Sequence, residues 1–91
     1  MDKAITFRGI TQEMAELYER KNHDYGNSFD KSLDHFGPVA AAVRLGDKYN
    51  RFSELISKDQ QVKDESLRDT LIDLANYSIM TVLWLDNNRE S

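Results

Sequence analysis

The chain has 91 residues, a formal net charge of −4 and no cysteine. That length suits one domain, 1–91, near the lower limit for a self-sufficient core. The missing thiols exclude a disulfide framework and a zinc–thiolate site, and the acidic balance disfavours binding to the backbone of a long nucleic acid.

Residues 1–9, MDKAITFRG, read as an N-terminal arm that Gly9 separates from the first helical segment. They hold no apolar run of the kind a secretory leader needs, and an intracellular protein fits. Thr11 is the expected N-cap of a medium helix running to about Asn22, with Met14, Leu17 and Tyr18 as its apolar stripe. Gly26 and Asn27 mark a turn. Ser28 is then placed to cap a short helix with Phe29, Leu33 and Phe36 on one face. Gly37 ends it, and Pro38 suits the first turn of the next.

The first long helix is expected over Pro38–Ser57, with a seam of Val39, Ala42, Val43, Tyr49, Phe52 and Ile56. Gly46 inside it costs about 1 kcal/mol relative to alanine, which a close backbone contact or a ligand would explain. Residues 58–63, KDQQVK, read as a polar connection. A second long helix is expected over Asp64–Leu85, capped by Asp64, with Glu65 at the positive end of its dipole. Leu67, Leu71, Leu74, Ser78 and Val82 keep helical spacing. Its last turns are apolar nearly all round, yet it is short and interrupted for a membrane span. A helix apolar on most faces is buried on most faces, so a small chain completes its core by homo-oligomerisation. Residues 86–91 read as a frayed tail. Strand signals are weak throughout. The expected class is an all-α bundle of two long helices, one medium and one short.

Three groups of side chains carry possible chemistry. Asp69, Asp73 and Asn76 share a helix stripe, and carboxylates one turn apart can share Mg²⁺; the plainer reading is a solvated face with an asparagine at its edge. Arg44, Lys48 and Arg51, with Asp47, share a face of the preceding helix. They can hold phosphates, or pair with Asp47, Asp69 or Asp73. Glu13, Glu16 and Glu19 can add metal ligands or stay solvated. His23 and Tyr25, beside the Gly26–Asn27 turn, can contact a base. The two histidines, His23 and His35, sit in no nucleophile motif, and there is no glycine-rich phosphate loop.

Two segments, KNHDYGNSFDKSLDHFG with VRLGDKYNR and DESLRDTLIDLANYSIM, resemble the first nucleotide-modification-associated domain family, typical of bacteriophages and prophages. The matching residues are Lys21 and Asp24–Phe29, then Arg44, Asp47, Lys48 and Arg51, then Asp69–Asn76. The resemblance covers roughly residues 10–85 and implies phage nucleotide metabolism in the cytoplasm of an infected or lysogenic bacterium. A wider similarity is to the MazG-like all-α nucleoside triphosphate pyrophosphatases, which hold Mg²⁺ on a glutamate-rich helix and a Glu-x-x-Asp helix. Ser66 stands where that second motif has its glutamate; Glu65 is one residue away, about 100° round the helix.

The resemblance supports two readings of one pocket. In the first, Lys21, Asp24, Tyr25, Asn27, Arg44, Lys48, Arg51 and Asn76 bind a nucleotide. Glu16, Glu19, Asp69 and Asp73 hold Mg²⁺, and the protein is a pyrophosphohydrolase. In the second, the same pocket sequesters a host antiviral signalling nucleotide without cleaving it. A third reading makes the apolar C-terminal helix a docking element and the polar stripes salt bridges.

Overall fold

Asp2 starts the first helix. Its Oδ1 accepts the backbone N–H of Ala4 at 2.9 Å, and its carbonyl accepts that of Thr6 at 3.2 Å. An aspartate at this position satisfies donors that an α-helix leaves open. In the computed structural model, which describes residues 2–25, 27–57 and 63–89 except for the side chains of 25, 63–65 and 89, helix α1 spans Lys3–Tyr25. The helix therefore runs through Gly9. Thr11 is not a cap: its hydroxyl donates to the Arg8 carbonyl at 3.0 Å inside the helix.

Helix α2 covers Ser28–Phe36, α3 Val39–Ile56 and α4 Lys63–Arg89, and no strand occurs among the described residues. Asn27, one residue before the expected cap, opens α2 in the left-handed region at φ 57°. Asparagine tolerates that conformation better than most residues. Gly37 closes α2 at φ 76°, its N–H donating to the Leu33 carbonyl at 2.8 Å. With ψ at −166° this is backbone that essentially glycine alone adopts. Pro38 comes directly after it, with φ −59°, ready for α3. The stretch 58–62, most of the expected connection, lies outside the described residues. So do Gly26, residues 90–91, and the side chains of Tyr25, Asp64 and Glu65. Most of the expected tail is helical, since α4 continues to Arg89.

The most extensive packing is between α3 and α4. The faces in contact are only partly the ones the apolar pattern indicates, with Phe52 and Leu74 common to both. On α3, Ala41 is buried and Leu45, Lys48, Phe52 and Leu55 are half-buried. On α4, Thr70 is buried and Leu74, Tyr77, Thr81 and Trp84 are half-buried. Both rows step by four and then three residues, so each is one continuous stripe. Polar members sit there at low cost because they bond locally. Thr70 Oγ1 donates to the Ser66 carbonyl and Thr81 Oγ1 to the Tyr77 carbonyl, each at 2.7 Å. Val39, Val43, Tyr49 and Ile56, expected in the seam, are exposed, as are Leu71 and Val82. The core proper is Phe29, Leu33 and Ala41, with Ala40, Tyr77, Met80 and Trp84 packed against it. Phe29 meets the Tyr77 ring edge-on, centroids 4.9 Å apart. Phe36, expected beside Phe29 and Leu33, points outward.

Helix α1 lies across α4. Glu13 takes both Arg68 guanidinium nitrogens, at 2.9 and 3.0 Å. Asn76 Nδ2 donates to the Met14 carbonyl at 3.3 Å, and Met14 is buried in the crossing. Gly46 has no steric reason among the described residues: a Cβ there meets nothing within 4 Å. No described helix is long and apolar enough to cross a membrane.

Candidate functional site

The crossing of α1 over α4, with α2 and α3 behind it, leaves a cleft of about 360 Å³. That is within the size range of small-molecule pockets. Lys21 and Asn22 come from α1, Asn27 from the turn, Phe29 and Asp30 from α2, Arg44 from α3, and Asp73, Asn76 and Tyr77 from α4. Tyr18, Ser28 and Met80 complete the lining.

Asp73 is the electrostatic centre of the cleft. One carboxylate oxygen accepts from Lys48 Nζ at 3.2 Å and the other from Lys21 Nζ at 3.4 Å. Lys48 and Asp73 are each three-quarters withdrawn from solvent, at 25% side-chain exposure, whereas Lys21 is 55% exposed. Screening leaves the outer pair weak, and the inner pair carries most of the interaction. Arg44 has no carboxylate partner among the described residues; its guanidinium carbon lies 5.5 Å from the centroid of Tyr77. Lys48 Nζ lies 5.9 Å from the same ring. The electron-rich face of one aromatic thus helps hold two cations. Lys21 and Arg44 balance Asp73 and Asp30 in the lining, and Lys48, bonded to Asp73 at the edge, adds a third cation.

Of the residues expected to bind a nucleotide, Lys21, Asn27, Arg44 and Asn76 line this cleft, and Lys48 reaches its edge through Asp73. Arg51 is exposed and lies outside the lining. Asp24 is exposed in a shallow depression with Glu19, Arg20 and His23, and its Oδ1 is 3.4 Å from His23 Nδ1. The Tyr25 side chain lies outside the described residues.

Of the residues expected to hold a metal, Asp73 alone lines the cleft. Asp69, Glu16 and Glu19 are exposed, and Glu16 accepts a hydrogen bond from Gln12 at 3.0 Å. Among the described residues no three carboxylates or imidazoles come together as a metal-holding group. Magnesium needs several oxygen ligands in near-octahedral geometry, and both oxygens of Asp73 already accept from lysines. Among the described residues the donor set of one chain does not fit the ion. Glu13 is likewise committed to Arg68, whose hydrogen bond holds its carboxyl below the usual carboxylate range.

The apolar and aromatic half of the cleft went unforeseen: Tyr18, Tyr77 and Met80, with Asn22. Tyr77 carries a signal, since it lies one turn after Asp73 on α4 and so shares its face. Tyr18 reads first as core.

Residues 21–85 match the model of a protein family described as nucleotide modification associated domain 1. No curated protein and no solved structure matches the chain.

Proposed function

This chain belongs to the nucleotide modification associated domain 1 family, and we propose that its cleft binds a nucleotide by the phosphate without cleaving it. The observation that carries this reading is the meeting of Lys21, Lys48 and Arg44 on Asp73 and Tyr77. A phosphate entering here exchanges Asp73 for a dianion as the partner of two lysines, and takes Arg44 as a planar donor pair. Asn22 and Asn27 offer amide groups, and Tyr18 and Phe29 an apolar wall, for the base and sugar.

Sequestration is favoured over hydrolysis by the donor chemistry. Phosphoanhydride hydrolysis in the pyrophosphatase manner uses grouped carboxylates that the described residues of one chain do not gather, and Ser66 replaces the glutamate of the Glu-x-x-Asp pattern. For a phage-type protein, the natural cargo of such a cleft is a host antiviral signalling nucleotide.

The test is calorimetric titration of the full chain with a panel of mono-, oligo- and cyclic nucleotides, standard and base-modified, in the presence of EDTA. Material released on denaturation is then identified by mass spectrometry. The expected result is a metal-independent complex, one ligand per cleft, recovered intact. Loss of the panel ligand to mono- or diphosphate products once Mg²⁺ is added identifies the hydrolase instead. Absence of binding across the panel refutes nucleotide handling by this cleft.

A further inference from the structure

The first turns of α1 are open to solvent, and Glu13 is the first of its residues to bond α4. Every residue from 2 to 13 is exposed, including Ile5 at 65% and Phe7 at 68%. Yet Phe7, Ile10, Met14 and Leu17 step by three, four and three residues, one unbroken apolar stripe. Met14 is buried on α4 and Leu17 half-buried, so the stripe is used at one end and open at the other. Half a helix without tertiary contact is marginal in water.

Beside the used end lies an apolar groove of about 230 Å³ between α1 and α4. Met14, Ala15 and Tyr18 line it from one side and Ile79, Met80 and Leu83 from the other. Ile79 and Leu83 stand 48% and 55% exposed.

We infer that a second copy of this chain occupies this groove, each copy laying the open half of α1 on the α1–α4 groove of the other. The arrangement is isologous, so one stripe and one groove per chain close into a pair. The open surface calls for an occupant larger than a short peptide, and the pairing of one open stripe with one open groove on the same chain makes that occupant a second copy. The chain exposes 7107 Å². A compact chain of 10.6 kDa exposes about 5,500 Å². The excess of about 1,600 Å² per chain, doubled, falls within the range that permanent dimers bury. The radius of gyration agrees, at 14.9 Å, against about 12 Å for a compact chain of this length. Tyr18, Asn76 and Met80 line both the groove and the cationic cleft, so the second copy seats against the cleft wall.

The test is sedimentation equilibrium of the full chain at micromolar concentration, with hydrogen exchange read at the amides of residues 5–12. The expected mass is twice 10.6 kDa, or a larger closed multiple, with those amides protected. Ile79→Glu, Leu83→Glu and Phe7→Glu each alter a side chain that is exposed in the single chain. Each is expected to return the mass to one chain and to release amides 5–12 while helical circular dichroism from α3 and α4 persists. A wild-type mass of one chain overturns the inference. So does an assembly whose mass Phe7→Glu leaves unchanged, including the case where the α4 variants fail to fold. Unprotected amides 5–12 in a stable dimer place the interface elsewhere and overturn it equally.

Discussion

Lys48 on α3 and Asp73 on α4 meet at 3.2 Å inside the seam of the most extensively packed pair of helices, and Lys21 reaches the other oxygen of the same carboxylate from α1. One acidic side chain therefore ties three helices together and sets the charge of the cleft. The two roles respond oppositely to its removal.

Asp73→Asn is expected to lower stability by about 1–2 kcal/mol, the usual cost of losing hydrogen bonds to a charged group. The same change is expected to tighten phosphate binding, because it removes the anion that competes for Lys21 and Lys48. Lys48→Ala is expected to weaken binding. Denaturant melts and calorimetric titration separate the two effects. Weaker nucleotide binding by Asp73→Asn would instead make Asp73 a direct ligand of the cargo or its cation.

Tyr77 is expected to act as a platform for cations. Tyr77→Phe keeps the ring and should leave nucleotide affinity near wild type. Tyr77→Leu removes the face beneath Arg44, 5.5 Å away. It should cost about 1 kcal/mol, close to a fivefold loss in affinity. It also loses the edge contact with Phe29, so thermal stability falls with it.

The Glu13–Arg68 pair predicts a modest acid sensitivity. The Arg68 hydrogen bond, with a smaller charge attraction, outweighs slight desolvation and lowers the exposed Glu13 carboxyl below its ordinary 4.5. A lowered carboxyl stabilises the folded chain above the ordinary value. That contribution is lost as pH falls through the folded value. Thermal melts of wild type and Glu13→Gln are expected to differ at neutral pH and to converge on acidification below 4.5.

Gly46→Ala is expected to stabilise the chain by about 0.5–1 kcal/mol, since the added methyl meets open space and the helix gains propensity. The readout is the midpoint of a denaturant melt. A loss of stability would mean that something outside the single chain approaches α3 at this position.

The all-α class and the four-helix order are legible in the sequence because glycine, proline and asparagine punctuate it at 26–27 and 37–38. The faces are less so. Apolar counting favours Val39, Val43 and Tyr49 over Lys48, and Leu71 and Val82 over Thr70 and Thr81. The packed stripes run through the polar members, whose hydroxyls bond within their own helix and whose ammonium finds Asp73. The start of α1 hinges on Asp2, a capping signal that the glycine at position 9 outweighs on paper but not in the fold. In the site, Lys21, Asn27, Arg44, Lys48, Asp73 and Asn76 come from motifs. Glu16, Glu19 and Asp69 do not join them, since spacing shows which residues share a helix face but not which face meets a neighbour.

Trp84 is the sole tryptophan of the chain, and its Nε1 donates to Asp34 Oδ1 at 2.9 Å across α2 and α4. Its near-ultraviolet emission therefore comes from one place, the seam beside a pocket that shares Tyr18, Asp30 and Met80 with the cleft. An optical titration of the unmodified protein is a recording of that seam. A ligand that changes the light has reached the Trp84 pocket or moved α2 against α4. A ligand that binds silently has filled the cationic end alone.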